Sequence, residues 1–293
     1  MRKIRWAALA VAVIPLLASA QQDFSKVEIK TTALREGTHM LTGAGGNIVA
    51  SVGSDGVFII DDQFAPLSDK IRAAVGKLSD KPLRFVVNTH WHGDHTGGNE
   101  NMGKAGAVIV AHDNVRKRMS VEQLLLGDKI PAAPDAALPV VTFATDLNLH
   151  LNGDDVHVQH VEHAHTDGDA LVKFERANVL HMGDVYFNGL YPFIDAGSGG
   201  SIGGLLAAVE SGLALSDATT IVVPGHGPVS NRAELAAYGA MLKGYRDQIA
   251  ALKAEGKTLA QVIAAKPTAA TDETLGKAFI KPEQLVTFIY ETL

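Results

Sequence analysis

After Thr89, His90-Trp91-His92-Gly93-Asp94-His95 packs three imidazoles and a carboxylate into six consecutive positions, in a chain with 12 histidines in all. Neutral imidazole nitrogens and carboxylate oxygens are good donors to zinc. His90 and His92, on alternate residues, can converge on one ion, while Asp94 and His95, past the turn opened by Gly93, can face another. A polar loop of surface histidines, with Asp94 as a turn cap, is the plainer alternative. It is disfavoured because the run directly follows the apolar strand Phe85 to Asn88, where several polar groups would stand unsatisfied unless a cation held them. The chain has no cysteine, which excludes thiolate ligands, a thiol nucleophile, a lipobox and a disulfide framework.

The elements that must position this run change period in a legible order. Asn47 to Val52 and Val57 to Ile60 are β-rich runs around Ser54-Asp55-Gly56, a hairpin whose glycine suits positive φ. A helix-period stretch follows from about Pro66 to Lys77, and then the strand Leu83 to Asn88 that delivers the histidines. A second half repeats the grammar. Leu147 to Leu151 and Asp155 to Val161 flank Asn152-Gly153-Asp154, Ala170 to Phe174 and Val179 to Met182 are further strands, Gly203 to Leu213 is helical, and Thr220 to Val223 is a strand. Ala233 to Ala251, Leu259 to Ala265 and Glu283 to Thr292 are helices whose apolar spacing can cover a sheet face. Leu126 to Leu138, with Pro131 and Pro134, is the most loop-like segment. Met40-Leu41 before Gly43, Gly45 and Gly46 suits either a mobile flap over the site or an ordinary hairpin.

Composition is that of a folded globular body, 46% hydrophobic and 20% charged over 293 residues. Arg2, Lys3 and Arg5, the apolar run Trp6 to Leu17 and the small residues Ala18-Ser19-Ala20 read as a signal peptide cleaved after Ala20, which predicts a periplasmic or secreted protein. That run, interrupted by Pro15, falls short of the ~20 residues a spanning helix needs, so no stable membrane anchor is expected after cleavage. Residues 21–293 are then expected to form one domain. The net charge is −6, and three of the cations sit in the leader, so the remainder repels a phosphate backbone. A small-molecule substrate is expected, and no nucleic-acid partner.

The His-x-His-x-Asp-His run after a strand resembles the signature of the metallo-β-lactamase-fold hydrolases. Three later elements stand in that family's order: His165 in His163-Ala164-His165-Thr166-Asp167-Gly168-Asp169, Asp184 in His181-Met182-Gly183-Asp184, and His226 in Pro224-Gly225-His226-Gly227. The likeness spans essentially the whole chain after the leader. It implies an α/β fold, a four-layer αββα sandwich, with two zinc ions at its open edge. His90, His92 and His165 would hold the first zinc, Asp94, His95 and His226 the second, and Asp184 would bridge the two. A hydroxide between the ions would attack a carbonyl carbon, with Asp94 as the catalytic residue that orients the attacking oxygen and passes on its proton.

Substrate choice is less legible. The cysteine-bearing subclass of true metallo-β-lactamases has a thiolate where this chain has Asp184, and often a lysine three residues later to grip the substrate carboxylate; here that position is Phe187. Asp184 resembles the bridging aspartate of the hydroxyacylglutathione hydrolase and lactonase branches. Export makes opening of a β-lactam or similar cyclic amide the leading expectation, hydrolysis of a thioester or lactone the alternative, and a non-catalytic periplasmic metal or ligand binder a further one. Val185 to Phe193 is either an aromatic substrate wall, with Asn188 as a donor to an oxyanion and Tyr191 as a second contact, or a helix-packing loop. Trp91 is expected to pack, His163 to stand behind the ligands, and His181 to be a buried hydrogen-bonded histidine. Asp61-Asp62 is expected to cap the helix after Pro66, with support of the ligand loop as the alternative. His39, His112, His150, His157 and His160 lie outside any motif.

Overall fold

The structure, a computed structural model, describes residues 23–293; the leader expected over residues 1–20 lies outside the described residues. In chain order the strands are β1 (Lys30–Ala33), β2 (Thr38–Thr42), β3 (Ile48–Gly53), β4 (Gly56–Ile60), β5 (Leu83–Val87), β6 (Val108–His112), β7 (Gln123–Leu125), β8 (Asp128–Ile130), β9 (Val141–Phe143), β10 (Asp146–Leu151), β11 (Asp154–His160), β12 (Ala170–Phe174), β13 (Val179–His181), β14 (Ile221–Val223) and β15 (Ser230–Asn231). β1 to β6 followed by β9 form a seven-stranded sheet, β10 to β15 a second of six, and β7 with β8 a separate hairpin. Each sheet starts as an antiparallel meander and passes into parallel pairs, β4 to β5 to β6 to β9 in the first and β13 to β14 in the second. Parallel neighbours need a crossover. Helices supply it: α1 (Ser68–Gly76) between β4 and β5, α2 (Gly93–Thr96) and α3 (Asn99–Lys104) between β5 and β6, α4 (Asp113–Met119) before β9, and α5 (Ile202–Ala214) between β13 and β14. Helices α6 (Arg232–Ala254), α7 (Leu259–Ala265), α8 (Asp272–Leu275) and α9 (Pro282–Glu291) complete the chain.

Alternation along the strands sorts the apolar side chains into separate cores. Val49, Phe58, Ile60 and Val87 point between the sheets, against Val156, Val158, Val172 and Phe174. Their chain neighbours Ile48, Val57, Ile59 and Val86 point the other way, onto Leu67, Ile71 and Val75. Leu171, Leu180 and Val222 leave the far side of the second sheet for Leu205 and Val209 of α5 and Leu235, Leu242 and Ile249 of α6. Helix, sheet, sheet, helix is therefore the layer order, the expected αββα sandwich. Phe58 and Phe174 stack across its centre with centroids 5.7 Å apart; burying one such ring contributes roughly 1.5–3 kcal/mol.

One expectation needs correction. Leu126 to Leu138 is not simply a loop: it begins at the two-residue turn of the β7–β8 hairpin and ends in a 3-10 turn at Asp135–Ala137. Met40 and Leu41 are buried core residues of β2, paired with Val49 and Ile48, so residues 40–46 form the hairpin that is one of the two alternatives. Among the described residues no helix is long and apolar enough to cross a membrane.

Candidate metal centre

β5 ends at Val87, His92 is still extended (φ −62°, ψ 147°), and Gly93–Thr96 then winds into the single turn of α2. Residues 89–91 bend after the strand, and across that bend His90 and His92 both reach the first donor group, while the turn of α2 carries Asp94 and His95 to the second. His165 arrives on the loop between β11 and β12, Asp184 on a 3-10 turn after β13, and His226 on the loop after β14. Donor atoms of His90, His92, His165 and Asp184 lie within 4.8 Å of one another, and so do those of Asp94, His95 and His226. Asp184 joins the two groups. Its Oδ2 is 3.6 Å from His165 Nε2, 3.9 Å from His90 Nε2 and 3.4 Å from His226 Nε2, while Oδ1 is 3.1 Å from His95 Nε2. Asp94 Oδ2 lies 3.2 Å from His226 Nε2 and 3.6 Å from His95 Nε2.

Each ring is oriented by the partner of its other nitrogen. His165 Nδ1 donates to the Phe193 carbonyl at 2.8 Å, which places the ring proton there and frees Nε2. His92 is held the other way round: its Nε2 is 3.0 Å from Asp195 Oδ2, so Nδ1 faces the centre, 2.8 Å from His165 Nε2. His95 Nδ1 is 2.7 Å from Asp61 Oδ2, and the Asp61 carboxylate also accepts from the Thr89 backbone N–H and hydroxyl, each at 2.8 Å. His90 Nδ1 is 3.0 Å from that same hydroxyl.

The Asp61-Asp62 pair is thus not a helix cap. The N-cap of α1 is Leu67, with no side-chain bond, and Asp62 Oδ1 accepts instead from Gly98 N–H at 2.9 Å, just beyond α2. Asp61 keeps a left-handed backbone, φ 64°, to make its contacts. Sequence pattern missed Asp195 and the Phe193 carbonyl entirely, since no local motif marks either.

Close backbone approach completes the frame. A Cβ at Gly46 would lie 2.1 Å from His95 Cε1, and one at Gly225 would lie 2.0 Å from Asp184 Oδ1, so only glycine fits at both. Asn47 binds the β2–β3 turn to the His226 loop: its amide donates to the Pro224 and Gly227 carbonyls, both at 2.9 Å, and its backbone N–H to Gly225 at 2.7 Å. His181 is the buried, hydrogen-bonded histidine expected, donating from Nε2 to the Asn47 carbonyl at 2.9 Å. His163 is exposed and hydrogen-bonded to the Gly199 carbonyl at 2.9 Å, outside both donor groups.

Electrostatics divide the groups. Burial drives His165 down to about 4 and His90 well below the ordinary imidazole range, with neighbouring rings adding to the effect. Burial also opposes charge on His95 and His226, but carboxylates outweigh it: Asp184, Asp94 and Asp61 hold His95 well up, and Asp184 with Asp94 holds His226 at about 9. For Asp94 burial again opposes ionisation, and His95 and His226 prevail, holding it at about 2. The same imidazoles, with His90, keep Asp184 far below its usual value against its burial.

A divalent cation suits these residues. His90 Nε2 is fully buried without a hydrogen-bond partner, a costly state for a polar atom that ligation would relieve. Imidazole and carboxylate, with no thiolate, are donors for zinc and similar borderline metals.

The centre forms one wall of a cavity of about 570 Å³, to which His92, Asp94, Asp184 and His226 contribute. Trp91, Phe187, Tyr191 and Phe193 also line it. Trp91 directs its indole N–H to Ser198 Oγ at 3.1 Å, and the Tyr191 hydroxyl is engaged by the Thr268 carbonyl, Thr271 and Asp272, so both present rings and not polar tips. Asn188 is outside the lining, its amide donating to the Pro228 carbonyl at 3.1 Å. Among the described lining residues there is no Lys or Arg.

Residues 42–226 match the family model of the metallo-beta-lactamase superfamily, more than half of the chain. Hydroxyacylglutathione hydrolases of Nitrosococcus oceani and Polaromonas sp. are each 28% identical over 172 residues, 57% of this chain and 57% of theirs; the chain thus matches a little over half the length of these curated relatives. Among solved structures, a metallo-beta-lactamase from Pontibacter korlensis superposes with a TM-score of 0.62 at 18% identity, over 74% of this chain and 99% of the other. The sec-alkylsulfatase Pisa1 from Pseudomonas sp. superposes with a TM-score of 0.66 at 16% identity, over 90% of this chain and 50% of the other. Sandwich, motif order and family match agree: the chain belongs to the metallo-beta-lactamase superfamily.

Proposed function

We propose that this chain is an exported dinuclear zinc hydrolase that cleaves an activated carbonyl substrate, a thioester or lactone. The observation that carries this reading is the pair of donor groups joined through Asp184 on the wall of an otherwise apolar cavity. His90, His92 and His165 would hold one zinc and Asp94, His95 and His226 the other, with Asp184 shared. Bound there, zinc supplies Lewis acidity and makes water a competent nucleophile at neutral pH. Asp94 stays ionised and faces the cavity, placed to accept a proton and to orient the oxygen that gives it up. Asp195, Asp61 and the Phe193 carbonyl hold three rings in fixed tautomers, and Trp91, Phe187 and Phe193 keep bulk water from the reacting side.

Opening of a β-lactam, the leading expectation from sequence, calls for a cation to receive the substrate carboxylate. Phe187 occupies the wall where a lysine would serve, and among the described lining residues there is no Lys or Arg. The relatives named hydroxyacylglutathione hydrolase support ester-type chemistry. The test is metal analysis of the purified mature protein, with parallel assays on a thioester, a lactone, a carbapenem and a cephalosporin. Zinc-dependent turnover of the thioester or lactone supports the proposal. Turnover of the lactams alone returns the reading to a β-lactamase, and bound zinc without any turnover points to a binder.

A further inference from the structure

The cavity beside the donor groups does not stop at their aromatic walls. It continues to the β7–β8 hairpin, whose Leu125, Leu126 and Ile130 line it together with Phe279 from the segment before α9. Phe193 connects the two ends: its ring stacks 5.7 Å from that of His92 and meets Phe279 edge-on at 6.4 Å. An unbroken apolar wall therefore runs from a donor residue to the rim.

The rim is costly to keep. Leu126 is 52% exposed and Phe279 67%. Leu126 and Gly127 form the two-residue turn and both have left-handed backbone, φ 52° and 93°. Turns of this type favour Asn, Asp or Gly at the first position, because a short polar side chain bonds locally there and a larger apolar one is strained. A leucine held in a strained and wetted position, yet lining a cavity that ends at a donor cluster, points to a ligand that covers it. The volume of about 570 Å³ is that of a small-molecule site.

We propose that this cavity binds an unbranched apolar acyl chain, that the substrate is an uncharged ester, thioester or lactone carrying such a chain, and that Leu126, Ile130 and Phe279 set the preferred chain length. The inference rests on the hydrolase reading of the same centre. The experiment uses the zinc-loaded protein and a series of unbranched acyl thioesters from acetyl to octanoyl. kcat/KM should rise by roughly fourfold per added methylene until the cavity is filled. Leu126→Asn and Leu126→Gly relax the turn, so they should hold or raise Tm while flattening that rise; Phe279→Ser should flatten it too. A flat series in the wild-type protein, or variants that keep the full slope, would overturn the proposal. If no ester, thioester or lactone is hydrolysed at all, the hydrolase reading fails by itself, and calorimetric titration with decanoate and butyrate decides the remainder. Tighter binding of decanoate, lost in Leu126→Asn, upholds the apolar site; equal binding sinks it.

Discussion

Asp94 is the carboxylate of the second donor group and is partly open to the cavity, so its charge is available both to a metal and to a proton in transit. Asp94→Asn keeps the shape and removes that charge. Turnover should fall by roughly 10²- to 10⁴-fold, while the first zinc, left with three imidazoles and Asp184, stays bound; steady-state rates with zinc content measured on the same sample check this, and near-normal rates would remove Asp94 from its assigned role. Asp195 acts at one remove, through His92 Nε2. Asp195→Ala frees the imidazole to turn, and zinc affinity of the first group should drop by roughly 10- to 100-fold, read by competition with a chromophoric chelator. The candidate ligands were legible because four of the seven stand in one run and the others carry local glycine-rich or strand-end signatures. Asp195 was not, because it meets His92 only through a fold that closes 103 positions of sequence. Asp61 was noticed but misassigned: the nearby helix suggested a cap, whereas parallel pairing of β4 with β5 puts the end of β4 beside Thr89.

Elements deliver these residues by strand ends and by glycine contacts, and both are sensitive to a single methyl group. Gly46→Ala puts a Cβ against the His95 ring, which must then shift or push the β2–β3 turn away from α2. Overpacking of this kind costs roughly 1–3 kcal/mol, and because the displaced ring is a donor, the Tm gain on adding zinc should shrink as well. Melting curves with and without zinc separate the two effects; a variant with an unchanged zinc-induced shift would show that His95 is not a ligand. The sequence pattern found the strands that alternate strongly or run apolar, β3, β4, β5 and β12 among them. It passed over β1, exposed along its whole length, and the β7–β8 hairpin, whose Leu-Gly turn lacks the Asn or Asp that usually announces one. Edge strands and unorthodox turns take their structure from neighbours, and one-dimensional periodicity does not report neighbours.

At the scale of the molecule, two half-sandwiches meet at the centre, so metal, protons and fold are linked. In the metal-free protein His226 titrates at about 9, above its ordinary 6.5. The protonated ring therefore contributes stability that is complete below about 6.5 and is lost as pH rises through about 9. Asp94, depressed from 3.8 to about 2, contributes stability above 3.8 that is lost as pH falls through about 2. Zinc requires the neutral imidazole, so uptake by the second group must expel the His226 proton and that of His95, which the carboxylates also hold well up. Its affinity should fall by at least about tenfold for each pH unit below about 9, His226 alone accounting for that slope and His95 steepening it. The first group behaves differently: His165 titrates at about 4 and His90 lies well below the usual range, so both are already neutral and their affinity should change little over the same interval. Zinc titrations at successive pH values should resolve one ion whose binding is nearly level and one whose binding weakens steadily toward acid. Two ions with the same pH dependence would show that the groups are not electrostatically distinct, and that the division drawn through Asp184 does not describe how the centre fills.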